Sequence, residues 1–256
     1  MGRAARAVGW LYERAPWVLS LAPPVAAWEA ASRLVPGLPI PPPSAVLAAL
    51  WQMLRAGTLA QHGARTLLYL ALGLALAVAA GLVVGILMGR SRPAEYLLDL
   101  YLNIFLAAPL AALVPLLILL FGLRATSIVA TVFLFAFFVV AVNTFTGVRD
   151  ADPRLIEMAR SFGAPEALLL RRVILPGALP LILAGIRQAV GRAFNGVILG
   201  EMLVSLVGIG GLVMQLGGQF RIDAVLALIA AIVGASALAI GAVQRLERRL
   251  LRWLDQ

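Results

Sequence analysis

The side chains able to do chemistry in this 256-residue chain are few in kind. There is one imidazole, His62, and no Cys, which excludes thiolate catalysis, disulfides, iron–sulfur ligation and any histidine-clustered metal or catalytic site. All 21 basic residues are Arg. Without Lys there is no GxxxxGK(S/T) phosphate loop and no Schiff base, so ATP hydrolysis by that route and imine chemistry are both excluded. What remains are 12 carboxylates and the guanidiniums. Those set inside apolar runs are the most informative, because an Arg at the bilayer centre costs about 2.5–3.5 kcal/mol on insertion scales and marks a functional position by default. Arg187 and Arg192 lie in one such run, where Gln188, Arg192 and Asn195 share a helix face, and Glu201 follows it. That stripe either looks into a pore, where cations lower the barrier to an anion, or pairs with a carboxylate such as Glu201 or with helix-end carbonyls.

The elements that must carry these residues are membrane helices. The chain is 62% hydrophobic and 13% charged, against about 45–50% and about 25% in soluble domains, with a mean hydropathy of +0.98. A span needs about 20 apolar residues. Six stretches qualify, at about 16–35, 66–89, 97–121, 126–148, 177–199 and 224–243, giving an all-α integral membrane protein with a segment 1–15 ahead of one transmembrane domain, 16–256. Basic residues of short connections stay cytoplasmic. Alternate connections hold 14 Arg on one side and five on the other, so both termini are expected in the cytoplasm, and the net charge of +9 reflects topology rather than nucleic-acid binding. Gly81, Gly85 and Gly89 strip one face of the second span and predict a close helix contact. Outside, a Pro-rich connector at Pro36–Pro43 leads to a short helix capped by Ser44, running to Arg55 and ended by Gly57. In the first span, Glu29 and Arg33 stand at i and i+4 and can pair.

The loop 150–176 is too patterned for a passive linker. Asp150 or Asp152 can cap a helix with Pro153 in its first turn, and Gly163 supplies the left-handed residue that stops it. Leu155, Met158, Ala159 and Phe162 form an apolar stripe that something must cover, while Glu157, Arg160 and Ser161 point elsewhere. Either the chain's own bundle covers it or a soluble partner does. Pro165 restarts a helix with Glu166 in its first turn and Arg171 and Arg172 at its far end, and Pro176 opens the fifth span. After Glu201, the glycines Gly208, Gly210, Gly211, Gly217 and Gly218 resist a continuous helix and predict an outer loop or partly re-entrant turn.

Glu157-Met158-Ala159, then Gly163, then Val173 and Leu175-Pro176 resemble the EAA signature of permease subunits of bacterial ATP-binding-cassette importers, with Met158 for the usual Ala and Val173 for the usual Ile. The resemblance continues through LPIPPPSAVLAALW, PLAALVPLLILLFG, NTFTGVRDADPRLIEMARSFGAP and RLERRLLRW, which are similar to permeases of the nitrate, sulfonate and taurine group. Ala107-Ala108-Pro109 departs from that group's Arg-x-x-Pro element. The resemblance implies a type I importer of MetI-like fold in the bacterial inner membrane. In it two copies of the permease form a pore, two cytoplasmic ATPase subunits bind ATP and Mg, and an extracytoplasmic binding protein delivers a small, anionic solute of sulfonate, taurine or nitrate type. The permease itself carries no cofactor and is no enzyme. Residues Glu157, Met158, Ala159, Arg160, Ser161, Phe162, Gly163, Ala164, Pro165, Leu175 and Pro176 are then the ATPase-coupling segment, and Arg187, Gln188, Arg192, Asn195 and Glu201 the translocation candidates, Glu201 and the Gly208–Gly211 turn acting as gate or docking elements. The alternatives are an ion-driven secondary transporter, disfavoured by the lack of repeated membrane carboxylates or broken helices, and an importer of the same type for a non-anionic solute.

Overall fold

A computed structural model describes residues 16–35, 39–204 and 208–252, with side chains from Ala22 onward. Expectations for 1–15, for Pro36–Leu38 of the connector and for the Trp253 end of the tail lie outside the described residues. Those residues form helices α1 (Pro16–Leu34), α2 (Pro43–Arg55), α3 (Thr58–Arg90), α4 (Arg92–Ala107), α5 (Val114–Phe121), α6 (Ala125–Arg149), α7 (Pro153–Ser161), α8 (Glu166–Val204), α9 (Gly208–Gly218) and α10 (Ile222–Leu250). No strand occurs among them.

Four of these, α3, α6, α8 and α10, are long and apolar enough to cross a membrane, and the count is five if the bent pair of α4 with the segment Leu110–Phe121 is taken as one span. Helix α1 is not among them, since Pro23, Pro24, Glu29 and Arg33 dilute its apolar character. The single third span expected at 97–121 is broken, with a 99° bend. Ala108, held extended at φ −69° and ψ 146° ahead of Pro109, cannot continue the helix. A short 3-10 turn, Leu110–Leu113, then redirects the chain and tucks Leu110 and Val114 into the core.

The chain divides into two compact units, Met1–Leu59 with Leu216–Ala231, and Ala60–Gln215 with Ile232–Gln256. In the first, Val46 and Ala49 of α2 pack with Ala227, Trp28 and Leu50. Leu47, Trp51 and Leu54 of the same helix stay exposed. The helix start is capped by Glu29 rather than by the Ser44 side chain. The Ser44 N–H donates to Glu29 Oε2 at 3.1 Å and its hydroxyl to Oε1 at 2.9 Å, while Arg33 Nε donates to Oε1 at 2.7 Å, the i, i+4 pair expected from sequence.

In the second unit α6 is the central helix, and glycines decide what touches it. A Cβ at Gly73, Gly81, Gly85 or Gly89 of α3 would fall 2.5–2.8 Å from the side chains of Val132, Val140, Thr144 and Val148 respectively. The constant offset of those pairs means that α3 and α6 run parallel. On another side of α6, Gly185, Gly196 and Gly200 of α8 meet Asn143, Phe135 and Ile128, so that pair is antiparallel. Lipid tails are as apolar as Leu, so helix association here rests on close packing, which glycine permits. Ala136, Val140, Ala189, Ala193 and Val197 are fully or almost fully buried between these helices.

Candidate functional site

Sequence reasoning singled out three places, and each is built differently from its surroundings. The first is α7. Asp152 is the cap, its carboxyl accepting from Arg154 N–H at 2.9 Å, with Pro153 behind it in the first turn. The helix stops where expected. Gly163 sits at φ 76°, its N–H reaching the Arg160 carbonyl at 2.8 Å while the Ala164 N–H reaches Ala159 at 3.1 Å, the paired closure that a left-handed residue allows.

Helix α7 lies on the bundle by one edge only. Ile156 packs with Val148, Ile174 and Ala178, whereas Leu155, Met158 and Phe162 are 48%, 54% and 83% exposed. The chain does not cover its own stripe. Beside it an apolar hollow of about 310 Å³ is lined by Ala159, Ala164, Leu168, Leu169, Arg172 and Val173. Of the polar positions, Ser161 donates to the Glu157 carbonyl at 3.0 Å and Glu157 is exposed. Arg160 donates to Glu166 at 2.8 Å, and Arg90 at the end of α3 bonds the other oxygen of the same carboxyl. These bonds from Arg160 and Arg90 hold the Glu166 carboxyl below its usual range.

Beyond Pro165 the helix does not halt before Pro176, as the Leu175-Pro176 punctuation suggested. It runs from Glu166 to Val204 through a wide π-turn at Leu170–Ile174. Pro176 and Pro180 lack the N–H groups that a regular helix would use, and the irregular turn just before them accommodates the loss.

The second place is the polar face of α8. Gln188, Arg192 and Asn195 are exposed, while Ala189, Val190, Ala193, Phe194 and Val197 on the other side are buried against the bundle. Arg187 does not share the open face. Its guanidinium donates to Glu247 Oε2 of α10 at 2.8 Å, and both side chains are partly buried. The pairing expectation therefore holds for Arg187 with a different partner from Glu201. Glu201 lies 14 residues further along the same helix, about 21 Å away at 1.5 Å per residue, beyond reach. Glu247 was hidden in sequence by its neighbours Arg245, Arg248 and Arg249.

The third place differs from the sequence reading in its local structure. Glu201 does not follow the span but is a fully buried residue within α8. The glycine-rich stretch behind it is helix α9, because its glycines sit where they do not break it. Gly208 takes φ 92° at the start, Gly210 approaches α8 closely, and Gly217 and Gly218 lie at the far end. Glu201 Oε2 accepts the Gly210 N–H at 2.9 Å and the Thr66 hydroxyl at 3.0 Å, and Thr66 Oγ1 accepts the Ile209 N–H at 2.9 Å. His62, one turn before Thr66, meets the Gly208 carbonyl at 3.0 Å, which makes its Nδ1 the protonated nitrogen. A carboxyl thus anchors the N–H end of α9 to both α3 and α8. Among the described residues its Oε1 has no partner. Thr66 and His62 were not singled out for this role by sequence, and their i, i+4 spacing on α3 is the signal that joins them.

No group of His, Asp and Glu able to hold a metal occurs among the described residues. What the chain offers is an uncovered apolar helix, a polar stripe along α8 and a helix, α9, anchored by a buried carboxyl. The family described as binding-protein-dependent transport system inner membrane component matches residues 77–252. The putative aliphatic sulfonates transport permease protein SsuC of Escherichia coli is 39% identical over 95% of this chain and 93% of its own length. The taurine transport system permease protein TauC of the same organism is 35% identical over 88% and 84%, and the riboflavin transport system permease protein RibX of Chloroflexus aurantiacus 37% identical over 88% and 85%. Among solved structures, a chain of the MetNI methionine ABC transporter in an inward-facing conformation superposes with a TM-score of 0.64 at 19% identity, covering 73% of this chain and 93% of that one. The chain belongs to the family of inner-membrane components of binding-protein-dependent transport systems.

Proposed function

We propose that this chain is the permease subunit of a type I ABC importer that moves a small anionic solute of the sulfonate or taurine class into the cytoplasm. A binding protein delivers the solute from outside, and a pair of ATPase subunits, carrying ATP and Mg, powers transport from inside. Six helices span the membrane, α1 and the bent third one included, with both termini in the cytoplasm, and two copies of the chain enclose the pore. The single observation carrying this reading is the uncovered face of α7. Leu155, Met158 and Phe162 stand in water although they lie on a helix fixed at both ends by Asp152 and Gly163. Such a face fits a groove on a partner. Helix α7 is the lever: closure of the ATPase pair moves it as a rigid piece, and α8, continuous from Glu166, carries the motion to the pore. Residues Glu157 to Pro165 with Leu175 and Pro176 make up the coupling segment.

Gln188, Arg192 and Asn195 face the pore, because lipid cannot solvate that stripe. Arg187 steadies α8 against α10, and Glu201 holds the outer gate helix α9. ATPase turnover measured with and without the purified permease tests the coupling. Stimulation that survives both Gly163→Pro and Glu157→Lys refutes it, and solute uptake by the permease alone under an ion gradient refutes the importer itself. The RibX relative, whose name gives riboflavin, favours one second reading, an importer of the same build with a non-anionic solute. Identifying the ligand held by the partner binding protein decides between them.

A further inference from the structure

A cavity of about 400 Å³ with predominantly polar walls opens where α3, α4 and α6 end together. Arg90 closes α3, Arg92 opens α4 and Arg149 closes α6, and all three line it, with Ser91, Glu95 and Tyr96. Three guanidiniums thus converge on one hollow whose lining holds one carboxylate, Glu95, while Glu166 and Asp150 meet Arg90 and Arg149 from outside that lining. Their existing contacts leave donors over. Arg90 is bonded through Nη2 to Glu166. Arg149 reaches Asp150 at 3.2 Å and Glu95 only at 3.8 Å, with its face over the Phe145 ring. Arg92 is exposed and has no ion pair among the described residues. A guanidinium carries five N–H donors, so the cluster is under-used as it stands.

We propose that this cavity is a binding site for a phosphate group, held between Arg92 and Arg149 with Arg90 behind them and the Ser91 and Tyr96 hydroxyls as further donors. The site lies at the end of the bundle that the arginine distribution assigns to the cytoplasm. Tyr96 is 81% exposed, and Leu97, Leu100, Tyr101 and Ile104 continue down α4 as open apolar surface. A tyrosine and arginines above an apolar helix face fit the headgroup level of the inner leaflet, and basic pockets between spanning helices take anionic headgroups there. The same chemistry would also take free phosphate from the cytosol. The proposal does not depend on which solute the permease moves.

The full permease–ATPase complex, reconstituted in phosphatidylcholine nanodiscs with a minor fraction of phosphatidylglycerol, separates the two sources. One arm measures phosphatidylglycerol retained through delipidation by mass spectrometry. The other measures thermal protection by inorganic phosphate in lipid-depleted micelles. Arg92→Gln, at an exposed position, and the double variant Arg92→Gln/Arg149→Gln are compared with Arg124→Gln, an exposed Arg at the opposite end of α6. Retention or protection in wild type and Arg124→Gln that falls about five- to tenfold per cavity arginine removed, and is restored by Arg92→Lys, supports the site. The arm that responds names the source. Wild type and Arg92→Gln behaving alike in both arms overturns the proposal. So does a loss of ATPase affinity in Arg92→Gln with neither arm moved, which assigns the cavity to protein contact.

Discussion

Truncating Phe162 tests the coupling helix at its most exposed point. The residue is 83% exposed, and an aromatic side chain buries about 150–250 Å² when fully covered. Seating it in an ATPase groove therefore removes up to about 170 Å² from water, or about 4 kcal/mol at ~25 cal/mol per Å². Partial coverage halves this, so Phe162→Ala is expected to weaken the permease–ATPase complex by about 2–4 kcal/mol, roughly 30- to 1000-fold in Kd. The permease by itself should melt at an unchanged temperature, because almost no buried area is lost. Leu119→Ala, on α5 and also 83% exposed, is the control and should bind as wild type. Titration of labelled ATPase subunits against permease in nanodiscs, with a thermal melt of each permease alone, reads both quantities. A Kd within threefold of wild type would refute the reasoning, as would a loss of binding that tracked a lower melting temperature.

Gly85→Val should lower the melting temperature of the permease by forcing α3 from α6, since even a Cβ there comes within 2.6 Å of the Ala141 carbonyl; overpacking costs about 1–3 kcal/mol. Gly234→Ala on α10, where a Cβ meets open space, should be neutral or gain up to ~1 kcal/mol from helix propensity. Asp152→Ala removes the cap of α7 at about 1 kcal/mol, detectable as faster amide exchange confined to residues 154–157. Breaking the ion pair between α8 and α10 with Arg187→Gln or Glu247→Gln should destabilise the permease similarly in either case, and the double variant should cost less than the two together in a thermal-melt cycle. Thr66→Val should loosen α9, seen as increased amide exchange at Ile209 and Gly210, whose N–H groups now depend on Thr66 and on the carboxyl that Thr66 orients.

The features legible in the sequence were the local ones. Gly163, Asp152 and Pro153 define α7 by the backbone angles and N–H groups that those residue types allow or lack, and such effects act within a few residues. The glycines of α3 announced a close contact for the same reason. What the sequence left open was the choice of partner between elements. That Arg187 pairs with Glu247 and Glu29 caps α2, that Glu201 is buried under α9, and that α7 turns Ile156 inward and Phe162 outward are all decided by which helices lie side by side. The bend at Pro109 shows the boundary between the two. Proline and the residue before it explain why the helix cannot continue, but the 99° turn places Leu110 and Val114 in a core that exists only once α6 is there to receive them. By itself the sequence determined that this chain lives in a membrane, carries no machinery for hydrolysing ATP through a lysine-bearing phosphate loop, and exposes a patterned loop; spacing, charge and missing residue types suffice for that. The fold alone decided which charges are paired, which acid is hidden and which apolar face is left open, because burial and pairing depend on contacts between residues far apart along the chain.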